Sequence, residues 1–139
     1  MKKSAPLHSG IKTWPSLYTF AINPYRDARF TRCPKCSRRM NLRKFALLIH
    51  VDGNDLSVVG KTCRFCVRCE LIITHQDEME AVLAGWFSMR NPKVVGKPYL
   101  VIGTVEMRAW RDGLRRELSL GELNGRIFRI KKYISLSPE

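Results

Sequence analysis

An α+β fold is what the sequence predicts, on three observations: two Cys-x-x-Cys pairs flanked by strand-like sequence, one well-marked amphipathic helix, and a C-terminal strand and helix segment. The chain has 139 residues, the size of one ordinary domain. We divide it into an N-terminal arm (1–32), a cysteine-bearing unit of β-hairpins (33–74) and an α/β remainder (75–139) packing on that unit.

The arm reads as irregular because Pro6, Pro15 and Pro24 punctuate it, while Trp14, Leu17, Tyr18, Phe20 and Ile22 supply apolar surface to dock from about Trp14 onward. After the first cysteine pair, RKFALLIHV at 43–51 suits a strand and Asp52-Gly53-Asn54-Asp55 a turn. LSVVGKTCRF at 56–65 returns as the second strand, and ELIIT at 70–74 forms a third. Thr74 is placed to cap a helix whose first turn carries Asp77, Glu78 and Glu80. Met79, Val82, Leu83, Trp86 and Phe87 then recur at helical spacing until Arg90, and Asn91-Pro92 stops the run. KPYLVIGTVEM at 97–107 reads as a buried strand, and Trp110 to Leu118 as a short helix. Beyond Ser119 the signals conflict. Leu120, Leu123, Ile127, Ile130 and Ile134 fit a helix face, whereas FRIKKYISL fits a strand equally well.

Cys33 and Cys36 form one pair; the second is drawn from Cys63, Cys66 and Cys69. The strand ending at Cys66 and the new one starting after Cys69 place a turn between them, so Cys33, Cys36, Cys66 and Cys69 are the expected metal ligands. Cys63 becomes a small buried strand residue, with a place as ligand instead of Cys69 or a role as reactive thiol as the alternatives. Two such pairs make a tetrahedral four-sulfur site, for which Zn²⁺ is the expected ion. Iron in a similar four-sulfur site, or a cluster held by Cys63, Cys66 and Cys69 with Cys33 or Cys36, is the alternative.

The CPKC and CVRC units and their flanking strands resemble the zinc-ribbon superfamily over about residues 30–75. That resemblance implies zinc-ribbon β-hairpins, two knuckles sharing one zinc, and leaves function open, since ribbons serve in nucleic-acid proteins and as structural inserts. Ser37 and Glu70 stand where many knuckles have Gly. The order of cysteine unit, Trp86 helix, LVIGTV strand and Trp110 segment also resembles that of bacterial zinc-ribbon proteins without an established activity.

The formal net charge is +13, with eleven Lys/Arg and one acid in residues 1–50. Lys35, Arg38, Arg39, Arg43 and Lys44 crowd the first knuckle and its exit strand, with Arg26, Arg29 and Arg32 before it and Arg64 and Arg68 by the second. Some of this charge offsets the −2 of a zinc tetrathiolate. The rest suits phosphate contacts, so the five residues 35, 38, 39, 43 and 44 are the expected nucleic-acid-binding set, for DNA or RNA. Tyr25, Phe30, Phe45 and Phe65 are candidates for stacking on bases, and more simply core residues. Arg115-Arg116 and Lys131-Lys132 read as solvated charge.

No apolar stretch reaches the length of a membrane span, and the first twenty residues lack the pattern of a signal peptide. A cytoplasmic location is expected, where cysteine pairs bind metal rather than form disulfides. His75, Asp77 and Glu78 fall at a helix N-terminus, where acids serve the dipole, and His8 and His50 have no adjacent partner. With no P-loop and no GxSxG elbow, a non-enzymatic zinc protein binding nucleic acid or a nucleic-acid-associated partner is the expectation. The alternative is a protein-interaction adaptor in which the metal unit is only a staple.

Overall fold

The structure, a computed structural model, describes residues 14–54, 56–116 and 125–138. Seven strands build one mixed sheet: β1 (Thr19–Asn23), β2 (Asn41–Val51), β3 (Ser57–Cys66), β4 (Leu71–His75), β5 (Tyr99–Val105), β6 (Ile127–Arg129) and β7 (Lys132–Tyr133). Their spatial order is β6-β5-β2-β3-β4-β1-β7. β2, β3 and β4 are antiparallel neighbours, β5 and β6 extend them antiparallel beyond β2, and β1 joins β4 in parallel. Helix α1 (Gln76–Arg90) follows β4 directly, and α2 (Met107–Arg116) follows β5.

The apolar run Phe45-Ala-Leu-Leu-Ile49 explains the position of β2. Its odd residues Phe45, Leu47, Ile49 and Val51 pack with Phe20, Phe65 and Ile72, and its even residues Ala46 and Leu48 with Val105 and Ile127. A strand apolar on both faces needs cover on both, the pattern of a central strand. α1 covers the first face through Met79, Leu83 and Phe87, one helical turn apart. Trp110 of α2 packs on the second.

β6 and β7 lie at opposite ends of the strand order, yet only Ile130 and Lys131 separate them in sequence. The Ile130 N–H donates to the Ile102 carbonyl on β5, and the Lys131 N–H to the Tyr18 carbonyl just ahead of β1. Leu17 N–H reaches Arg129 O, and Arg129 N–H reaches Pro15 O. One stretch of chain is therefore both edges of the sheet. The sheet curls until they meet, which satisfies backbone groups that open edges would expose.

This architecture overturns the expected α+β fold of zinc-ribbon hairpins with an amphipathic helix and a C-terminal segment packed against them. β2, β3 and β4 are the middle of a curled seven-stranded sheet, because a two-hairpin ribbon cannot bury both faces of Phe45–Ile49. Residues 19–23, read as part of an irregular arm, are inserted as β1 beside β4. Thr74 does not cap α1: it is fully buried in β4 with Oγ1 2.9 Å from Cys63 Sγ. His75 takes the cap position in an extended conformation without a side-chain capping bond. Asp77 and Glu78 lie in the first turn, where they pair with Arg26 and Lys61. At the other end Arg90 lies over the Trp86 ring and donates to the Trp86 carbonyl, before Pro92 opens a short 3-10 turn.

The helix expected at Trp110–Leu118 starts earlier, at Met107. Of FRIKKYISL, the strand reading is the one adopted, in β6 and β7. The expectations for His8, Leu118 and residues 119–124 lie outside the described residues.

Closure of the sheet brings β6 tightly onto Gly103. A Cβ there would lie 2.6 Å from the Phe128 carbonyl oxygen and 3.1 Å from Arg129 Cα, both backbone atoms. Gly103→Ala is expected to destabilise by about 2 kcal/mol in urea unfolding. Gly85→Ala, on the exposed face of α1 with nothing within 4 Å, should stabilise by about 1 kcal/mol. Equal effects of the two substitutions would contradict the packing of β6 against β5.

Candidate metal centre

Two turns bring four cysteines together. The first, Cys33-Pro34-Lys35-Cys36, sits in the loop between β1 and β2, pinched by an antiparallel bridge between Arg32 and Arg39. The second, Cys66-Val67-Arg68-Cys69, joins β3 to β4. The Sγ atoms of Cys33, Cys36, Cys66 and Cys69 lie within 4.8 Å of one another, and those of Cys36 and Cys66 are 3.6 Å apart. That separation is far beyond a disulfide bond of about 2.05 Å. It is close to the edge of about 3.8 Å that a sulfur tetrahedron has when each metal–sulfur bond is about 2.3 Å. The donor set therefore fits a metal ion.

The first turn is shaped by the Ser37 N–H bonding Cys33 O at 2.8 Å and the Cys33 N–H bonding Arg38 O at 2.7 Å. Backbone amides also point at sulfur: Lys35 N is 3.4 Å from Cys33 Sγ, and Cys69 N is 3.5 Å from Cys66 Sγ. The Arg38 N–H, bonding Cys36, lowers that thiol to about 7. Desolvation, reinforced by the neighbouring sulfurs, pushes Cys69 up to about 12 and also raises Cys33. Left to themselves the sulfurs do not all ionise together. A bound cation reverses this, because it favours every thiolate at once.

Both turns close through a residue with positive φ directly after the second cysteine, Ser37 at 67° and Glu70 at 52°. These are the positions where many knuckles carry Gly, so the left-handed backbone is retained without the residue that adopts it freely. Phe30, Met40, Leu71 and Leu136 pack around buried Cys33 and Cys66. This apolar wall keeps water from the inner side of the sulfurs.

Cys63 is not part of the cluster. Three residues before Cys66 on a strand, it points to the opposite face, among Phe45, Phe65 and Met79. Burial pushes its thiol up, opposed by the Thr74 hydroxyl. The arrangement of Cys63, Cys66 and Cys69 around one cluster is thus not the one adopted.

The five basic residues chosen from the sequence do not form one patch. Lys35, Arg38 and Arg39 are exposed on the first knuckle. Arg43 and Lys44 are consecutive on β2 and take opposite faces. Arg43 lies over the Phe45 and Phe65 rings, at 4.9 and 5.0 Å, and Lys44 over the Trp110 ring at 5.4 Å. Phe30, Phe45 and Phe65 are core residues, and Tyr25 donates its hydroxyl to Leu136 O. Arg68, named above by the second knuckle, and Asn41, which the sequence did not single out, line one notch with Arg38 and Arg39. The signal for Arg68 is its place inside the second Cys-x-x-Cys. No helix among the described residues is long and apolar enough to cross a membrane.

Ser37→Gly and Glu70→Gly should each stabilise the metal-loaded protein by about 0.5–1 kcal/mol, read as a rise in the urea midpoint. No gain at either position would contradict the left-handed turns. Cys69→Ser is expected to abolish stoichiometric metal retention, whereas Cys63→Ser should keep it. Metal analysis after gel filtration checks both, and metal lost only from Cys63→Ser would overturn the ligand set.

No family model, no curated protein and no solved structure matches the chain, so the chemistry of this cluster rests on its own geometry.

Proposed function

We propose that the chain is a zinc-stapled protein that binds nucleic acid through the basic surface of its two cysteine knuckles. Zinc is favoured by a group of four sulfur donors within 4.8 Å of one another, one pair of them 3.6 Å apart. The ion is structural in this reading: all four positions are taken by protein, and it ties the loop after β1 to the β3–β4 turn.

The observation that carries nucleic-acid binding is the distribution of unopposed cations. Arg26 pairs with Asp77, Lys61 with Glu78 and Arg126 with Glu106, and among the described residues Lys35, Arg38, Arg39 and Arg68 join no ion pair. Lys35, Arg38, Arg39 and Arg68 all project from the knuckles into solvent. The thiolate charge does not need all of these side chains, since backbone amides of Lys35, Arg38 and Cys69 already face sulfur. Exposed cations in excess of internal acids suit a polyanion whose charge is delivered by phosphates.

The purified protein should contain about one zinc per chain, and chelation should lower its melting temperature. Labelled DNA or RNA should be shifted at about 50 mM salt and released steeply as salt rises. A protein that holds zinc but shifts no nucleic acid at low salt would leave the metal as a staple and end the binding proposal. A partner captured from extract that survives nuclease would then favour a protein adaptor.

A further inference from the structure

We propose that Arg38, Arg39 and Arg68 form a notch for the phosphate backbone of duplex nucleic acid, spanning both cysteine knuckles. The inference rests on the nucleic-acid reading above and specifies its contact residues and the form of the strand.

The notch, about 380 Å³, is lined by these three arginines with Asn41, Val67 and Cys66. Arg38 and Arg39 leave the first knuckle and Arg68 the second, so the cysteine cluster sets the spacing between them. All three are exposed, and none joins an ion pair among the described residues. Guanidinium groups match phosphate with two parallel N–H donors each, and the Asn41 amide adds a neutral donor. Arg39 also stands directly opposite Arg32 across an antiparallel bridge, an arrangement of like charges that is unfavourable without an anion nearby. Arg32 turns one Nη1 donor onto Ser37 O at 3.2 Å, leaving Arg39 the more available of the two.

What surrounds the notch selects the form of nucleic acid. Proteins that hold unpaired strands stack bases on aromatic side chains. Here Phe30, Phe45 and Phe65 are buried, and Arg43 lies over the rings of the last two. The apolar side chain beside the arginines is Val67, 66% exposed, which offers a sugar a surface but gives a base no ring to stack on. Phosphate contacts without stacking position a backbone and carry no sequence information. A duplex presents that backbone at the highest charge density, about one charge per 1.7 Å of axis.

The test compares the zinc-loaded full chain on labelled 20-base-pair duplexes of two unrelated sequences and on the single strands of one of them. The duplexes should bind alike and about tenfold or more tightly than either strand. Arg68→Gln and the double substitution Arg38→Gln/Arg39→Gln should each weaken duplex binding about tenfold. The slope of log affinity against log salt should fall by about one for each phosphate that a variant no longer engages. Lys93→Gln, which removes one exposed charge beyond α1, controls for net charge and should leave affinity within about twofold. Zinc content and melting temperature establish that each variant is folded. Preference for single strands, or an Arg68→Gln protein that binds like the parent while the parent binds duplex, overturns the notch alone. Failure of the parent to bind any nucleic acid overturns the broader reading instead.

Discussion

The crowding of four sulfurs is the constraint on which the rest of the knuckle side depends. With Cys36 and Cys66 only 3.6 Å apart, four thiolates in this space repel one another strongly, and four thiols would leave the surrounding amide donors poorly matched. A cation at the centre would satisfy both demands. It would also fix the loop between β1 and β2 against the β3–β4 turn, where Phe30 and Met40 share one apolar cluster with Ala21, Leu71 and Ile73. The four cysteines and that apolar cluster are thus one structural unit, with Cys33 and Cys66 buried among its side chains.

Closure of the sheet solves a different problem by backbone means. β2 is apolar on both faces, and covering it requires neighbours on both sides as well as helices above and below. The chain meets this by returning at Ile127–Tyr133 to serve both ends of the sheet. Gly103 allows the closest approach there, and Tyr133 donates its hydroxyl back to Val101 O across the curl. Leu136 then continues into the cluster around the cysteines and connects the closure of the sheet to the metal side. A C-terminal segment with short, weak strand signals becomes structural because it touches both regions.

Local chemistry makes the cysteine turns, β2, β3, β4 and α1 legible in the sequence. Cys66 and Cys69 are distinguishable from Cys63 because a strand runs up to one and starts after the other, and the same reasoning puts Cys63 in the core. The fold as a whole is not legible. β1 pairs in parallel with β4, about fifty residues away, and nothing in TFAIN announces a partner. Three prolines make its surroundings look irregular. Thr74 has the chemistry of a helix cap, but a buried hydroxyl can find a partner in tertiary structure, and the Cys63 thiol provides one. The capping preference yields to that interaction.

The basic site shows the same limit from another direction. Grouping charges by nearness in sequence works inside a turn and fails along a strand. Lys35, Arg38 and Arg39 belong to one turn and stay together. Arg43 and Lys44 are adjacent in sequence and separated by the thickness of the sheet, as strand alternation requires. Their cationic heads lie over the rings of the Phe45–Phe65 pair and of Trp110, a packing role that would make their removal a loss of core cover as well as of charge. Arg68 is about thirty residues from Arg38 and Arg39 yet shares their notch, because the sulfurs beneath require the two turns to meet. The geometry of the cysteine cluster therefore decides which cations can act together.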